Sequence, residues 1–300
     1  MSIWVAGEVL IDILPSGEVV GGGPANTSRA LARLGHEVDF IGGLSSDNHG
    51  LKARKKLERD GVNLGLSMIS DLPTCTATID LDSHGGALYE FLIDGTATFD
   101  FNASWLPDPG TLKPSVLHVG TLATIIEPGA SALFDWAMRV GEYAPIIFDP
   151  NVRPSVISER TTYSAAVEKW VRISSIVKVS GDDISWLYPD QSLDEVAHRW
   201  IGQGVNCVIV TRGAHGLIGF TEHGFEEVDG ERSAVIDTVG AGDTVGAIIV
   251  EGVIEHSVAG LQGQILNALL HKAAIAAGIT CSRAGAEPPR RDELIEAMEN

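Results

Sequence analysis

Cysteine is scarce in this chain: Cys75, Cys207 and Cys281 are the only three in 300 residues, and no CxxC pair occurs. That excludes a disulfide framework or a thiolate zinc site and points to a reducing compartment. Each thiol is expected as a small core side chain. Basic residues are few as well, 21 Lys and Arg against 40 Asp and Glu, for a net charge of −19. A nucleic-acid partner requires a basic face; the longest basic run, Lys52 to Lys56, reads as one solvated helix face, so no such partner is expected. The acidity also opposes long-range attraction of phosphorylated ligands, so a phosphate site must be locally focused. No apolar run approaches the ~18 residues of a membrane span. The opening MSIWVAGEVLID has no basic segment ahead of its apolar stretch, so a soluble, cytoplasmic protein without a membrane partner is expected. Internal repeats, low-complexity tracts and a His-rich metal cluster are lacking too; the nine histidines are scattered.

What is present is a strand–helix alternation. Ile3 to Gly7 reads as an apolar strand, and Glu8 to Leu14 continues with Ile11 and Ile13 on one face and Asp12 on the other. After the turn Pro15-Ser16-Gly17-Glu18 and a returning strand, Gly21-Gly22-Gly23-Pro24 leads into a helix stopped by Gly35. Asn26 lies in its first turn, where the amide either caps the backbone or faces a ligand. A strand at 37–43 and a charged helix at 47–60 complete a βαβα pattern, the signature of a parallel sheet covered by helices.

The pattern then changes. Residues 74–81 and 88–93 alternate polar and apolar around Ser83-His84-Gly85-Gly86, as in a hairpin with one wet face. With residues 12–20 it would form a lid over the carboxyl ends of the parallel strands, and Asp94-Gly95-Thr96-Ala97 would reach back to a ligand. Beyond residue 107 the alternation resumes, with strands at 116–119, 145–149, 175–180 and 206–211, and helices at 129–143, 162–173 and 193–203. Their carboxyl ends carry Asp149, Asn151, Asp183 and Gly213, where open α/β sheets place ligands. A long helix follows at 261–279.

Residues 233–254, SAVIDTVGAGDTVGAIIVEGVI, carry the sharpest signal. A short β-branched run, Ala234 to Ile236, would feed a helix through Gly240-Ala241-Gly242-Asp243, with Val245, Ile248, Ile249 and Val253 on its apolar face. Amides at such a helix start, backed by the dipole, make an anion site. Asp243 would repel a phosphate held there, so it serves either as a helix cap or as a base beside the anion.

The sequence holds neither a G-x-x-x-x-G-K-S/T loop nor a G-x-G-x-x-G after its first strand. Instead, GGGPAN near the start and DTVGAGDT near the end, in that order, resemble the ribokinase-like (PfkB) family of carbohydrate kinases. Within it, GEVLIDIL, DPNVRPSV, KVSGDD and YEFLIDGTAT are most similar to bacterial fructokinases and their 2-keto-3-deoxygluconate kinase relatives. The resemblance implies an α/β fold, a three-layer sandwich with a mostly parallel central sheet and a small antiparallel β lid. It implies one catalytic domain over 1–300, with lid segments at about 12–20 and 73–101. It also implies ATP-dependent phosphorylation of a primary hydroxyl of a hexose, fructose first, with 2-keto-3-deoxygluconate as the alternative substrate. A sugar sensor without catalysis is the reading from another class, opposed by the presence of Asp243 and both glycines.

By position, the resemblance assigns Asp12, Gly21, Gly22 and Asn26 to sugar hydroxyls, with Asp94 from the lid. Gly240, Ala241 and Gly242 become the anion hole and Asp243 the base, and Arg153 of the D-P-N-x-R signature reaches the sugar or the transferred phosphate. Thr211, Gly213 and Gly216 match a V-T-x-G-x-x-G loop near the nucleotide. Asp237, with carbonyls near Thr238 and in the 282–286 loop, matches a monovalent-cation site, for which potassium is expected. The family's N-x-x-E motif, tied to Mg²⁺ and phosphate handling, reads Ser180-Gly181-Asp182-Asp183 here, one methylene shorter at the carboxylate, with Mg²⁺ expected on Asp183 through water. The lid's free edge offers a route to a homodimer.

Overall fold

The computed structural model describes residues 2–15, 17–81, 87–231 and 234–299. Eight strands form the central sheet, in the order Gly224–Val228, Leu217–Thr221, Cys207–Thr211, Ile176–Ser180, Ile146–Asp149, Val116–Gly120, Ile3–Ala6, Val38–Ile41. The last six run parallel, and the first two extend the sheet as an antiparallel hairpin.

Strand alternation sorts side chains between two helical layers. On one face Trp4, Leu117, Phe148, Val177 and Val208 meet the helices Gly129–Gly141, Arg160–Val171 and Leu193–Gly202, whose Trp136, Trp170 and Trp200 are buried. On the other face Ile3, Val5, Ile147, Ile176 and Ile209 meet the helices Gly23–Arg33, Ala241–Gly260 and Gly263–Cys281. Small residues there, Ala30, Ala247, Ala273 and Ala276, are fully or almost fully buried. They let the helices approach closely, which brings the first turns of the Gly23–Arg33 and Ala241–Gly260 helices together over the strand ends.

The lid is a separate four-stranded sheet, ordered Gly17–Gly21, Leu10–Leu14, Thr76–Leu81, Ala87–Leu92. Two antiparallel hairpins are joined by a parallel pairing of Ile11 with Thr76. The expected turn at Ser83–Gly86 and residue Ser16 of the first turn lie outside the described residues. The strand expected at 37–43 is split into Val38–Ile41 and Gly43–Ser45, the second pairing with Met68–Ser70.

A second element differs from expectation. Ala234 to Ile236 form no strand: Val235 and Ile236 are 64% and 67% exposed. The amides of Ile236 and Asp237 both donate to the carbonyl of Cys281, which ties this segment to the end of the Gly263–Cys281 helix and away from any sheet edge. Among the described residues no helix is long and apolar enough to cross a membrane.

A buried ion cluster locks the helical layer that carries the glycine turn. Glu251, fully buried on the Ala241–Gly260 helix, meets His36 Nε2 at 2.8 Å, Lys272 Nζ at 2.6 Å and the guanidinium of Arg291. Burial alone would raise its pKa, but the bonds to His36 and Lys272 and the charge of Arg291 outweigh it and hold the carboxyl at about 2. A depressed carboxylate pKa contributes stability that is complete above the unfolded value and is lost as pH falls through the folded one. Glu251→Leu should therefore cost about 3 kcal/mol at neutral pH, read by urea denaturation. The gap to the wild type should narrow as pH falls from about 4.5 towards about 2.

Candidate active site

A cavity of about 500 Å³ opens between the lid and the carboxyl ends of the parallel strands. Its wall includes Asp12, Gly21, Gly22 and Asn26 from one side and Gly240, Gly242 and Asp243 from the other, with Arg153 at the rim. Two residues of its floor, Thr121 and Asn151, hold φ of +56° and +37°, a strained backbone for residues with a Cβ.

Asp243 sits at the third position of the Ala241–Gly260 helix, yet no side chain caps that helix. Its Oδ2 instead accepts from Asn26 Nδ2 at 2.9 Å, across the cavity wall. Asn26 likewise does not cap its own helix, whose N-cap is Gly22 without a side-chain bond. Both residues are turned to the space between two helix starts. The Asn26 amide is oriented by Arg29, whose Nη1 donates to Asn26 Oδ1 at 3.4 Å and to the Ala286 carbonyl at 2.7 Å. Thr27 Oγ1 adds a bond to the Asp243 carbonyl at 3.2 Å.

Burial raises the Asp243 pKa to about 6. The Lys178 charge and the Asn26 bond lower it, Asp149 raises it, and Arg153 lowers it. A carboxyl tuned to this range is a proton acceptor at neutral pH.

The glycines are required sterically. Gly240 has φ +80°, and a Cβ there would lie 2.5 Å from the Ala286 Cβ. A Cβ on Gly21 would lie 2.3 Å from Asp12 Oδ2, so that glycine makes room for the carboxylate. At the helix start the amide of Ala241 donates to the Thr238 carbonyl at 3.3 Å. The first intrahelical bond is that of Thr244 to Gly240, which leaves the amides of Gly242 and Asp243 ahead of it to face an anion.

Other residues of the sequence pattern are placed as follows. Asp12 lines the cavity; burial raises its pKa, and Arg153 opposes the rise. Arg153 Nη1 donates to Asn151 Oδ1 at 2.7 Å. Asp94 is exposed on the turn after Ala87–Leu92, which closes through Thr96 Oγ1 on the Ile93 carbonyl at 2.7 Å. It lies outside the cavity, and Phe91 of the preceding strand lines the wall instead.

Ser180 and Asp183 form a reciprocal capping box on the helix Gly181–Leu187. Asp183 Oδ2 accepts from the Ser180 amide at 3.3 Å and Oδ1 from the Val152 amide at 3.0 Å, so both oxygens fix backbone. Among the described residues no group of three or more His, Cys, Asp or Glu converges as a metal cage. Mg²⁺ held largely by phosphates and water needs only one or two carboxylates, and each Asp183 oxygen keeps a further lone pair for such a water.

Asp237 Oδ1 accepts from the Val239 amide at 3.0 Å and Oδ2 from the Gly285 amide at 2.8 Å, joining the glycine turn to the 282–286 loop. These backbone bonds, that of Val239 foremost, lower its pKa. Gly213 and Gly216, at φ +54° and +80°, shape the loop after Thr211 beside a second, more open cleft lined by Arg212, His215 and Asp229.

Three buried residues of the site receive no role from the sequence motifs, although Glu8 and Lys178 stand within GEVLIDIL and KVSGDD. Glu8 is 2% exposed; it accepts from Thr121 Oγ1 and, at 3.1 Å, from the Ala123 amide, and burial raises its pKa to about 7. Arg29, buried in the Gly23–Arg33 helix, also pairs with Asp60 at 2.6 Å. Lys178 lies in the cavity wall, 2.7 Å from Asp149. In the sequence it is a lysine inside the apolar strand SIVKVS and the first residue of KVSGDD.

The chain is similar in sequence and in fold to known proteins. The sequence model for the pfkB family carbohydrate kinase matches residues 16–293. A fructokinase of Rhizobium leguminosarum bv. trifolii is 33% identical over 257 residues, covering 83% of this chain and 78% of the relative. The crystal structure of a fructokinase with bound ATP from Xylella fastidiosa superposes with a TM-score of 0.92 at 22% identity, over 99% of this chain and 98% of that one. That of a Vibrio cholerae O395 fructokinase, in a form bound to fructose, ADP and calcium ion, gives 0.84 at 26% identity, over 100% and 98%. The match takes in both glycine segments and the strand ends between them, and the chain belongs to the pfkB family of carbohydrate kinases.

Proposed function

We propose that this carbohydrate kinase is a fructokinase that transfers the γ-phosphoryl group of ATP to a primary hydroxyl of the sugar. The observation that carries the reading is the buried Asp243 carboxylate, held by Asn26 in the wall of the cavity beneath the lid and adjoining the amides of a helix start. The sugar lies between Asp12, the Gly21–Gly22 backbone and Asn26, under the lid. Asp243 takes the proton of the attacking hydroxyl, while the Gly242 and Asp243 amides and Arg153 take up charge on the phosphoryl group. Asp183, fixed by Ser180, would hold Mg²⁺ through water, and the ion would supply positive charge to the nucleotide phosphates. The loop of Thr211, Gly213 and Gly216 seats the nucleotide, and potassium beside Asp237 would stiffen the glycine turn. An acid sugar would face Asp12, Glu8 and Asp243 in one cavity, which favours a neutral hexose. The edges of the lid sheet, Gly17–Gly21 and Ala87–Leu92, supply surfaces for a homodimer.

Coupled ADP-release assays with fructose, ribose, adenosine and 2-keto-3-deoxygluconate test the substrate. Fructose should give the highest kcat/KM, and no release with any of the four would sink the kinase reading for this chain. Asp243→Asn should lower kcat by about 10²–10⁴-fold while leaving the fructose Kd within a few-fold; parallel loss of fructose binding would make Asp243 a structural group. The base must be ionised, so kcat/KM should fall as pH drops through about 6. Asn26→Ala removes a bond that favours the charged form, and should move this acid limb to higher pH. An unmoved or lowered limb would contradict the assignment.

A further inference from the structure

The layer of the sheet that faces the Ala241–Gly260 helix is apolar along Ile3, Val5, Ile147, Ile176 and Ile209. Alternation places three polar side chains in that same layer: His118, Asp149 and Lys178. Lys178 stands two residues after Ile176 and opposite Ile209, where burial calls for another aliphatic residue. It is only 4% exposed, yet its ammonium reaches the cavity. Burial works to strip its proton, but Asp149 at 2.7 Å more than offsets this, and the pKa is raised. A fixed positive charge therefore lies under the helix start.

The glycine turn leaves that charge uncovered. A Cβ on Gly242 would sit 3.0 Å from Lys178 Nζ, so any side chain there would lie over the ammonium. Glycine near a helix start is otherwise a poor choice, by up to about 1 kcal/mol relative to alanine. One ammonium proton is taken by Asp149 Oδ2, and an ammonium has three. The Oδ1 atom of Asp149 is buried with no hydrogen-bond partner, as are both ring nitrogens of His118. An ion pair kept only for stability would use such groups up; replacement by aliphatic residues commonly matches or exceeds the stability of a pair like this one.

Building on the kinase reading, we propose that Lys178 is a catalytic residue that donates a hydrogen bond from Nζ to an oxygen of the phosphoryl group in transit beside Gly242. In that step the sugar oxygen bonds to the γ-phosphorus as its proton passes to Asp243. The bond from the γ-phosphorus to the β,γ-bridging oxygen breaks, and ADP leaves with that electron pair. Lys178 keeps its proton throughout and supplies charge from below, opposite the solvent side. Asp149 is its positioning residue, holding the ammonium charged and aimed at the turn.

Lys178→Met alone would strand the Asp149 carboxylate, so the decisive variant is Lys178→Met with Asp149→Asn, which removes both charges. If the pair is structural, this variant should keep kcat within about threefold of the wild type. If Lys178 is catalytic, kcat should fall by about 10²–10³-fold, the loss typical of one transition-state donor. The fructose Kd, measured without nucleotide, should stay within about threefold. A kcat near that of the wild type overturns the proposal, as does a loss traced wholly to fructose binding. A crystal structure of the wild type with ADP, fructose and aluminium fluoride needs no variant to fold. Lys178 Nζ should lie within about 3.2 Å of a fluoride, and a nitrogen beyond about 4 Å, bonded to Asp149 alone, overturns the assignment. Failure of the kinase reading itself would show separately, as a wild type that releases no ADP with any sugar.

Discussion

The hydrogen bond from Asn26 to Asp243 joins residues 217 positions apart, and the site depends on it. It forms only because two helices start at the same point over the same face of the sheet. Each starts at a glycine, Gly22 or Gly240, and neither has a side-chain cap. A Cβ on Gly23 would come within 3.2 Å of Asp243 Oδ1, so the Gly23–Arg33 helix must also begin bare. Behind the pair, Arg29 connects Asn26 to the Ala286 carbonyl and to Asp60, and Glu287 engages both Arg29 and Arg33. Ala286 is the residue against which Gly240 turns. Thus the loop after the Gly263–Cys281 helix, the Gly23–Arg33 helix and the glycine turn at Gly240 form one mechanical unit.

The electrostatics follow from the same arrangement. A chain of net charge −19 gains no long-range pull on a phosphate, and it places its positive charge at the point of use. Arg153 stands at the rim and Lys178 in the wall, together with the carboxyl groups of Glu8, Asp12 and Asp243. Desolvation raises all three of these carboxyl pKa values, and the nearby cations restrain them.

Much of this was legible in the sequence because the relevant physics is local. Apolar runs, glycine turns and the 3.6-residue spacing of Val245, Ile248, Ile249 and Val253 identify parallel strands, helix starts and a buried helix face. What escaped depends on contacts between distant segments. Asn26 reads locally as a cap, and only the facing helix start shows that its partner is Asp243. Ala234 to Ile236 reads as a strand by its β-branched composition, but the Cys281 carbonyl takes its amides. Asp94 follows an alternating strand, yet the closing turn leaves it on the surface. Lys178 gave a signal, a charge within an apolar strand, whose meaning depended on knowing that Gly242 lies above it.

The central claim is that a primary sugar hydroxyl, and no other acceptor, reaches the Asp243 carboxylate. The most direct measurement is ¹H–³¹P correlation NMR of the product formed from ATP and fructose by the wild-type enzyme. The account predicts a single new phosphomonoester whose phosphorus couples to the two protons of a methylene carbon. A phosphorus coupled to a lone methine proton, or ATP consumed with inorganic phosphate as the only new signal besides ADP, would contradict it.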